Sequence, residues 1–169
     1  IDVFHTIGND HKGKITNCLF SGKIIVTQAG NHCGGILGYN NNNAFQGLHG
    51  NLSIGTVEGG TSGKIAAILG RANTGTPKDA ITGNYYLEGT AIIGMGGENA
   101  VETPAVTEEQ LASGEIAYLL NAHNEAPAWF QLIGTDPMPT RTGTAVVYQS
   151  GTYNCDGTPA TELTYTNTE

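Results

Sequence analysis

Cys18-Leu19-Phe20-Ser21-Gly22-Lys23-Ile24 recurs in outline as Asn51-Leu52-Ser53-Ile54-Gly55-Thr56-Val57, and again as Tyr85-Tyr86-Leu87-Glu88-Gly89-Thr90-Ala91. The aligned glycines Gly22, Gly55 and Gly89 are 33 and 34 residues apart, and Ile15, Leu48 and Ile81 upstream are 33 and 33 apart. A second motif, Cys33-Gly34-Gly35-Ile36-Leu37-Gly38, matches Ile65-Ala66-Ala67-Ile68-Leu69-Gly70 at a spacing of 32. Two different segments that keep nearly one period indicate a repeat architecture rather than chance similarity in a Gly-rich chain.

The period has a physical meaning. Each unit holds short runs rich in Ile, Val, Leu and aromatics, divided by Gly and Asn, which read as strands and turns. A unit of about 33 residues spent on strands and turns has no room for a covering helix, and it cannot bury its own apolar face. Stacked units can. The expected fold is all-β, a β-solenoid of about three coils, with equivalent residues about 4.8 Å apart on successive coils. Leu19, Leu52 and Tyr86 are expected to form one inward ladder, and Ile24, Val57 and Ala91 another. Gly34, Gly35 and Gly38 flank Ile36-Leu37, where positive φ or close approach of a neighbouring coil excludes a Cβ. The Asn40 to Asn43 run reads as a corner, with a turn or an Asn stack.

Composition points the same way. Gly (25), Thr (21) and Asn (15) make up about 36% of the 169 residues, which implies tight turns and short strands and argues against a helical protein. A net charge of −8 disfavours nucleic acid as a partner, because phosphate binding needs clustered Lys and Arg. No apolar run approaches the roughly 20 residues of a membrane-spanning helix. Charge is unevenly placed: residues 1–97 hold five acids and six bases, whereas residues 98–169 hold ten acids against Arg141 alone. The acidic half reads first as a solubilising surface, and second as a patch that recruits calcium or a basic partner. The chain starts at Ile1 without Met or a leader, so any export signal is expected outside this stretch, and both ends read as cuts in a larger protein.

Gly13-Lys14-Ile15-Thr16-Asn17-Cys18-Leu19-Phe20-Ser21-Gly22 and Cys33-Gly34-Gly35-Ile36-Leu37-Gly38-Tyr39-Asn40 resemble the GLUG repeat of large secreted and surface proteins of bacteria. The resemblance runs from residue 11 to about 94. It is close in the first unit, fair in the second, and partial in the third, which lacks the Gly-Gly-Ile-Leu-Gly part. Leu111 to Asn121, Trp129-Phe130-Gln131 and Gly134-Thr135-Asp136 are similar to the segment that often follows such repeats in gut-bacterial surface proteins. The resemblance implies a right-handed parallel β-helix on an exported protein, located outside the cell or on its surface, as an adhesin or part of a surface enzyme. Host or dietary glycans, or a host surface protein, are the partners such a role implies. The family brings no catalytic residue to carry over.

The division expected is 1–97 for the repeats, 98–141 for a capping helix and strand, and 142–169 for strands leading out. The period fails after Ile92-Ile93-Gly94, and Glu98 to Thr107 reads as a loop. Thr107 is a good helix N-cap, with Glu108 and Glu109 in the first turn and Gln110 at the capping-box position. Leu111, Ile116, Tyr118, Leu119 and Leu120 give a helical apolar pattern that Gly114 splits into two short helices. A helix across the last coil covers the open end that a solenoid exposes. Trp129 to Ile133 reads as a strand stopped by Gly134, Pro137 and Pro139. Thr144 to Gln149 and Thr161 to Tyr165 read as later strands.

Catalytic chemistry is sought and mostly not found. Cys18, Cys33 and Cys155 form no C-x-x-C pair, and buried unpaired thiols are expected at Cys18 and Cys33. His5, His11, His32, His49 and His123 lack metal-ligand spacing and read as surface or turn residues. No cofactor fingerprint, calcium nonapeptide or nucleophile elbow occurs. Glycoside hydrolysis needs two carboxylates about 5–10 Å apart, and none of the five in the repeats recurs at the coil spacing. Arg71 aligns with Tyr39, so the two are expected to stack as a cation–π pair or a small sugar-binding shelf. Trp129 reads as a packing anchor rather than a ligand platform. The reading is a structural or adhesive β-solenoid module without catalytic residues, metal or cofactor of its own. Its alternatives are a glycan-binding or glycan-processing β-helix, for which Tyr39 and Arg71 are the candidate residues, and a calcium-dependent adhesin using the acidic half.

Overall fold

The computed structural model describes residues 6–7, 13–28, 30–41, 45–60, 64–122, 124, 127–131 and 135–139. Over these the chain is mainly β-structure with parallel pairing, and it divides into two compact units, Ile1–Ala105 and Val106–Glu169. His5, His11, His123, Asn42, Asn43, Cys155 and the strands expected within 142–169 lie outside the described residues.

In the first unit, strands two to four residues long pair across repeats rather than within them. Lys14–Thr16 pairs with Gly47–His49, and Gly47–His49 with Ile81–Thr82, so that Ile15, Leu48 and Ile81 stand in one column. Leu19–Phe20 pairs with Leu52–Ser53, and Lys23–Val26 with Thr56–Gly59. Cys33–Gly34 pairs with Ile65–Ala66, and Leu37–Asn40 with Leu69–Ala72 and with Thr6–Ile7. All these pairs are parallel, at the spacings of 32 and 33 read from the motifs. Parallel pairing follows because each strand runs the same way through every unit, and the intervening chain supplies the long connection that parallel strands need.

The third unit departs from the expected register by one residue. Tyr85, not Tyr86, lies opposite Leu52, and Tyr86 lies opposite Ser53. The column in register is therefore Leu19, Leu52 and Tyr85, and it is Tyr86, in the column of Phe20 and Ser53, that packs against the core. Ile24 does pair with Val57. Val57 N–H donates to Thr90 O at 2.9 Å, as it does when Ala91 stands opposite Val57. The extra residue between Tyr85 and Gly89 explains the 34-residue glycine spacing.

Pairing also continues past the point where the period fails. Leu69 bridges Met95 in parallel, while Ala67 N–H and Ile68 N–H donate to Ile93 O and Gly94 O, each at 2.9 Å. Ile93-Gly94-Met95-Gly96 thus stands where a third copy of the second motif belongs, 26 residues after Leu69 instead of 32. The last repeat is shortened, and its side chains still reach the core.

One corner recurs in all three units. Asn17, Gly50 and Gly83 have φ of 54°, 63° and 61°, the left-handed region that Gly adopts freely and Asn tolerates. The residues that follow are Cys18, Asn51 and Asn84. Asn51 Nδ2 donates to Asn84 Oδ1 at 2.8 Å and to Ile15 O at 3.2 Å; Asn84 Nδ2 donates to Leu48 O at 2.7 Å. Cys18 N–H donates to Asn51 Oδ1 at 3.0 Å. Asn51 and Asn84 are buried, and these bonds satisfy amides whose desolvation is otherwise unfavourable. At the next corner, buried Asn40 donates to Thr76 Oγ1 at 3.1 Å, and the Asn73 amide bonds to Asn41. Of the turn or Asn stack expected over Asn40 to Asn43, the described residues show one Asn–Asn pair, Asn41 with Asn73.

The core of this unit is Leu37, Phe45, Leu48, Ala67, Ile68, Leu69, Ala72, Ile81 and Met95, with Ile15, Ile36, Tyr86 and Val101 against it. Full burial of a Leu or Ile is worth about 1.5–3 kcal/mol. At Gly34 and Gly35 close approach is what excludes a side chain: an added Cβ comes within 2.6 Å of Ile68 O and 2.4 Å of Ala67 O respectively.

In the second unit the capping chemistry behaves as its residues dictate. Gln110 N–H donates to Thr107 Oγ1 at 3.2 Å and Thr107 N–H to Gln110 Oε1 at 3.0 Å, a complete capping box opening α1 (Glu108–Ala112). Gly114, with φ of 84°, separates α1 from α2 (Glu115–Asn121). Trp129–Phe130 pairs antiparallel with Met138–Pro139. Trp129 is fully buried, and Asn121 clamps its backbone on both sides, accepting from Trp129 N–H at 2.9 Å and donating to its carbonyl at 3.0 Å. It is a packing anchor.

Candidate functional site

The Leu37–Asn40 and Leu69–Ala72 register puts Tyr39 opposite Arg71. The Cys33–Ile65 pair does the same for the residues just before it, since Cys33 N–H donates to Lys64 O at 2.8 Å, placing His32 and Lys64 on adjacent repeats. Two aromatic side chains on one repeat thus lie beside two cationic ones on the next.

Contacts join the group. The Arg71 guanidinium carbon is 5.6 Å from the Tyr39 ring centroid, within cation–π range and worth about 0.5–1 kcal/mol at an exposed site. The His32 and Tyr39 rings stack with centroids 5.7 Å apart and planes 18° from parallel. Arg71 Nη1 lies 3.3 Å from His32 Nε2, and Nη2 lies 3.2 Å from Glu98 Oε1. Lys64 Nζ donates to Gly30 O at 3.2 Å. The Arg71 and Glu98 side chains are 32% and 53% exposed, so solvent screens their ion pair. Lys23 and Glu58 form a second exposed pair at 2.7 Å, away from these groups.

The tautomer of His32 follows from the donors. A guanidinium can only donate, so Nε2 accepts and the ring proton sits on Nδ1. Nδ1 is buried and has no hydrogen-bond partner among the described residues. Desolvation, then Arg71 and Lys64, hold the His32 pKa below its ordinary 6.5, against a smaller opposing pull from Glu98. With the folded value depressed, the unfolded chain takes up the proton first as pH falls. The stability that neutral His32 contributes is therefore complete above about pH 6.5 and declines below it. An NMR titration is expected to place the His32 midpoint below 6.5 and to show Arg71→Gln moving it upward. A parent midpoint at or above 6.5 contradicts this electrostatic account.

The other sequence candidates are dispersed. Cys18 and Cys33 are free, as expected, but not buried: Cys18 is exposed and Cys33 half-buried. Cys18 follows the left-handed corner residue, and its Sγ donates outward to Thr16 O at 3.4 Å. Desolvation by the surrounding chain raises both thiol pKa values, which keeps them protonated and weakly nucleophilic at neutral pH. His49 Nδ1 is 2.8 Å from Thr82 Oγ1, one repeat on. Among the described residues no three His, Cys, Asp or Glu side chains converge to hold a metal ion.

Tyr39 and Arg71 were legible from the 32-residue motif spacing, whereas His32, Lys64 and Glu98 were missed as their partners. The signal for His32 and Lys64 was present, one residue before the matched Cys33 and Ile65. Glu98 had no such signal, because it reaches Arg71 only through the shortened third repeat. Comparison with protein-family models, curated proteins and solved structures gives no match.

Proposed function

We propose that the first unit is a right-handed parallel β-helix of the GLUG-repeat kind, in a bacterial protein exported to the cell surface or medium. There it serves as a structural or adhesive module and carries no catalytic machinery of its own. The observation that supports this reading is the in-register pairing of residues 32 or 33 apart on five parallel ladders. A rod built this way is lengthened by adding repeats, and it presents side chains in regular rows to a partner. Antibody labelling of the source cells, intact and lysed, tests it. Signal on intact cells or in the medium is expected; signal confined to the cytoplasm contradicts the reading.

A second reading, glycan binding, is favoured by one specific contact, the Arg71 guanidinium against the Tyr39 ring. Aromatic faces beside hydrogen-bonding cations suit sugars, which offer C–H faces and hydroxyls together. Binding on a glycan array that Tyr39→Ala abolishes selects this reading over a plain stalk, and an array without signal removes it.

A further inference from the structure

We infer that His32, Tyr39, Lys64 and Arg71 form a binding site for a carboxylate-bearing sugar, with Glu98 as its built-in competitor. This rests on the glycan-binding reading and narrows it to acidic sugars. The placement carries the argument. His32 and Tyr39 are stacked on one repeat, and Lys64 and Arg71 stand beside them on the next, about one strand spacing away. That spacing is close to the width of a pyranose ring, so a sugar whose carboxylate takes the place of Glu98 on Arg71 comes to lie beside the Tyr39 and His32 rings that Arg71 already touches.

The charges favour an anion. Lys64 and Arg71 with Glu98 sum to +1, His32 being neutral, in a chain of net charge −8. Arg71 uses one N–H toward His32 and one toward Glu98, and a guanidinium has five. Glu98 makes a single contact from a largely exposed side chain, whereas a ligand carboxylate can take the guanidinium in a bidentate fork. Glu98 therefore already demonstrates the chemistry that the site selects. Its hold is weak enough to exchange. Tyr39 argues for a sugar acid over an acidic peptide, because its ring adds a stacking surface that a Glu side chain does not use.

The test is titration of the full ¹⁵N-labelled chain with a tetragalacturonate, the same tetrasaccharide with its carboxyls reduced to alcohols, and a tetraglutamate peptide. Tetragalacturonate is expected to shift the amides around residues 32, 39, 64 and 71, and to bind more weakly as salt rises. Arg71→Gln is expected to weaken it about tenfold, as befits one charge-assisted contact. Glu98→Gln is expected to tighten it several-fold; that residue is exposed, so the variant does not depend on refolding the core. Equal binding of the reduced tetrasaccharide overturns acid selectivity while leaving the glycan-binding reading intact. Equal binding of tetraglutamate overturns the sugar assignment. Binding of neither saccharide, by the parent chain or Glu98→Gln, overturns this inference; the glycan reading then stands or falls with the array, and the β-helix reading is untouched.

Discussion

Gly55→Ala is expected to destabilise the first unit by about 3 kcal/mol or more, while Gly22→Ala leaves it within about 0.5 kcal/mol. The two glycines occupy the same place in successive repeats, so local sequence treats them alike. The stack does not. A Cβ on Gly55 comes within 2.3 Å of Gly22 O and 2.6 Å of the Phe20 ring, and Thr56 N–H donates to that same Gly22 carbonyl at 2.9 Å. The clash is with backbone held in a ladder, which cannot step aside as a flexible side chain can. A Cβ on Gly22 meets only the Phe20 ring, at an ordinary 3.4 Å. Urea denaturation of both variants, followed through amide signals of residues 13–105, measures the difference. Equal costs contradict the placement of one repeat upon the other.

Leu48→Ala is expected to cost about 2–5 kcal/mol, and Ile92→Ala less than about 0.5 kcal/mol. Leu48 is fully buried, with Ile15 and Ile81 as its column neighbours and Leu37, Phe45 and Leu69 in the same cluster. Truncation removes contacts in the plane of its own repeat and along the column. The backbone ladders on either side limit collapse into the space, so the cavity persists. Ile92 is equally apolar but 72% exposed, and it loses little. Composition cannot separate the two residues; register does. A small effect at Leu48 contradicts the core assignment.

What was legible in the sequence was whatever repeats. Ile15, Leu48 and Ile81 keep one spacing because they fill equivalent places, and the columns in the structure follow that spacing. The third repeat was harder. Its aligned glycine hid the extra residue after Tyr85, so glycine alignment misplaced Tyr86 by one position. The shortened return to Met95 was hidden too, since six missing residues remove the spacing on which recognition rests. The Asn51–Asn84 amide ladder was present as a 33-residue spacing, yet Cys18 in the first repeat disguised it. At the site, the Tyr39–Arg71 contact followed from a pairing between strands, whereas the Glu98 contact came from an irregular segment. In the second unit the Thr107 cap and the Gly114 break were readable, because both act within a few residues of themselves.

The most direct test is the pattern of backbone NOEs among Leu19, Leu52 and Tyr85. The account predicts amide-to-Hα contacts that link Cys18–Leu19 to Leu52, and Asn51–Leu52 to Tyr85, without the short Hα–Hα contacts of antiparallel strands. Strong Hα–Hα contacts between these segments, or contacts pairing Leu19–Phe20 with Lys23–Val26 in a hairpin, contradict it.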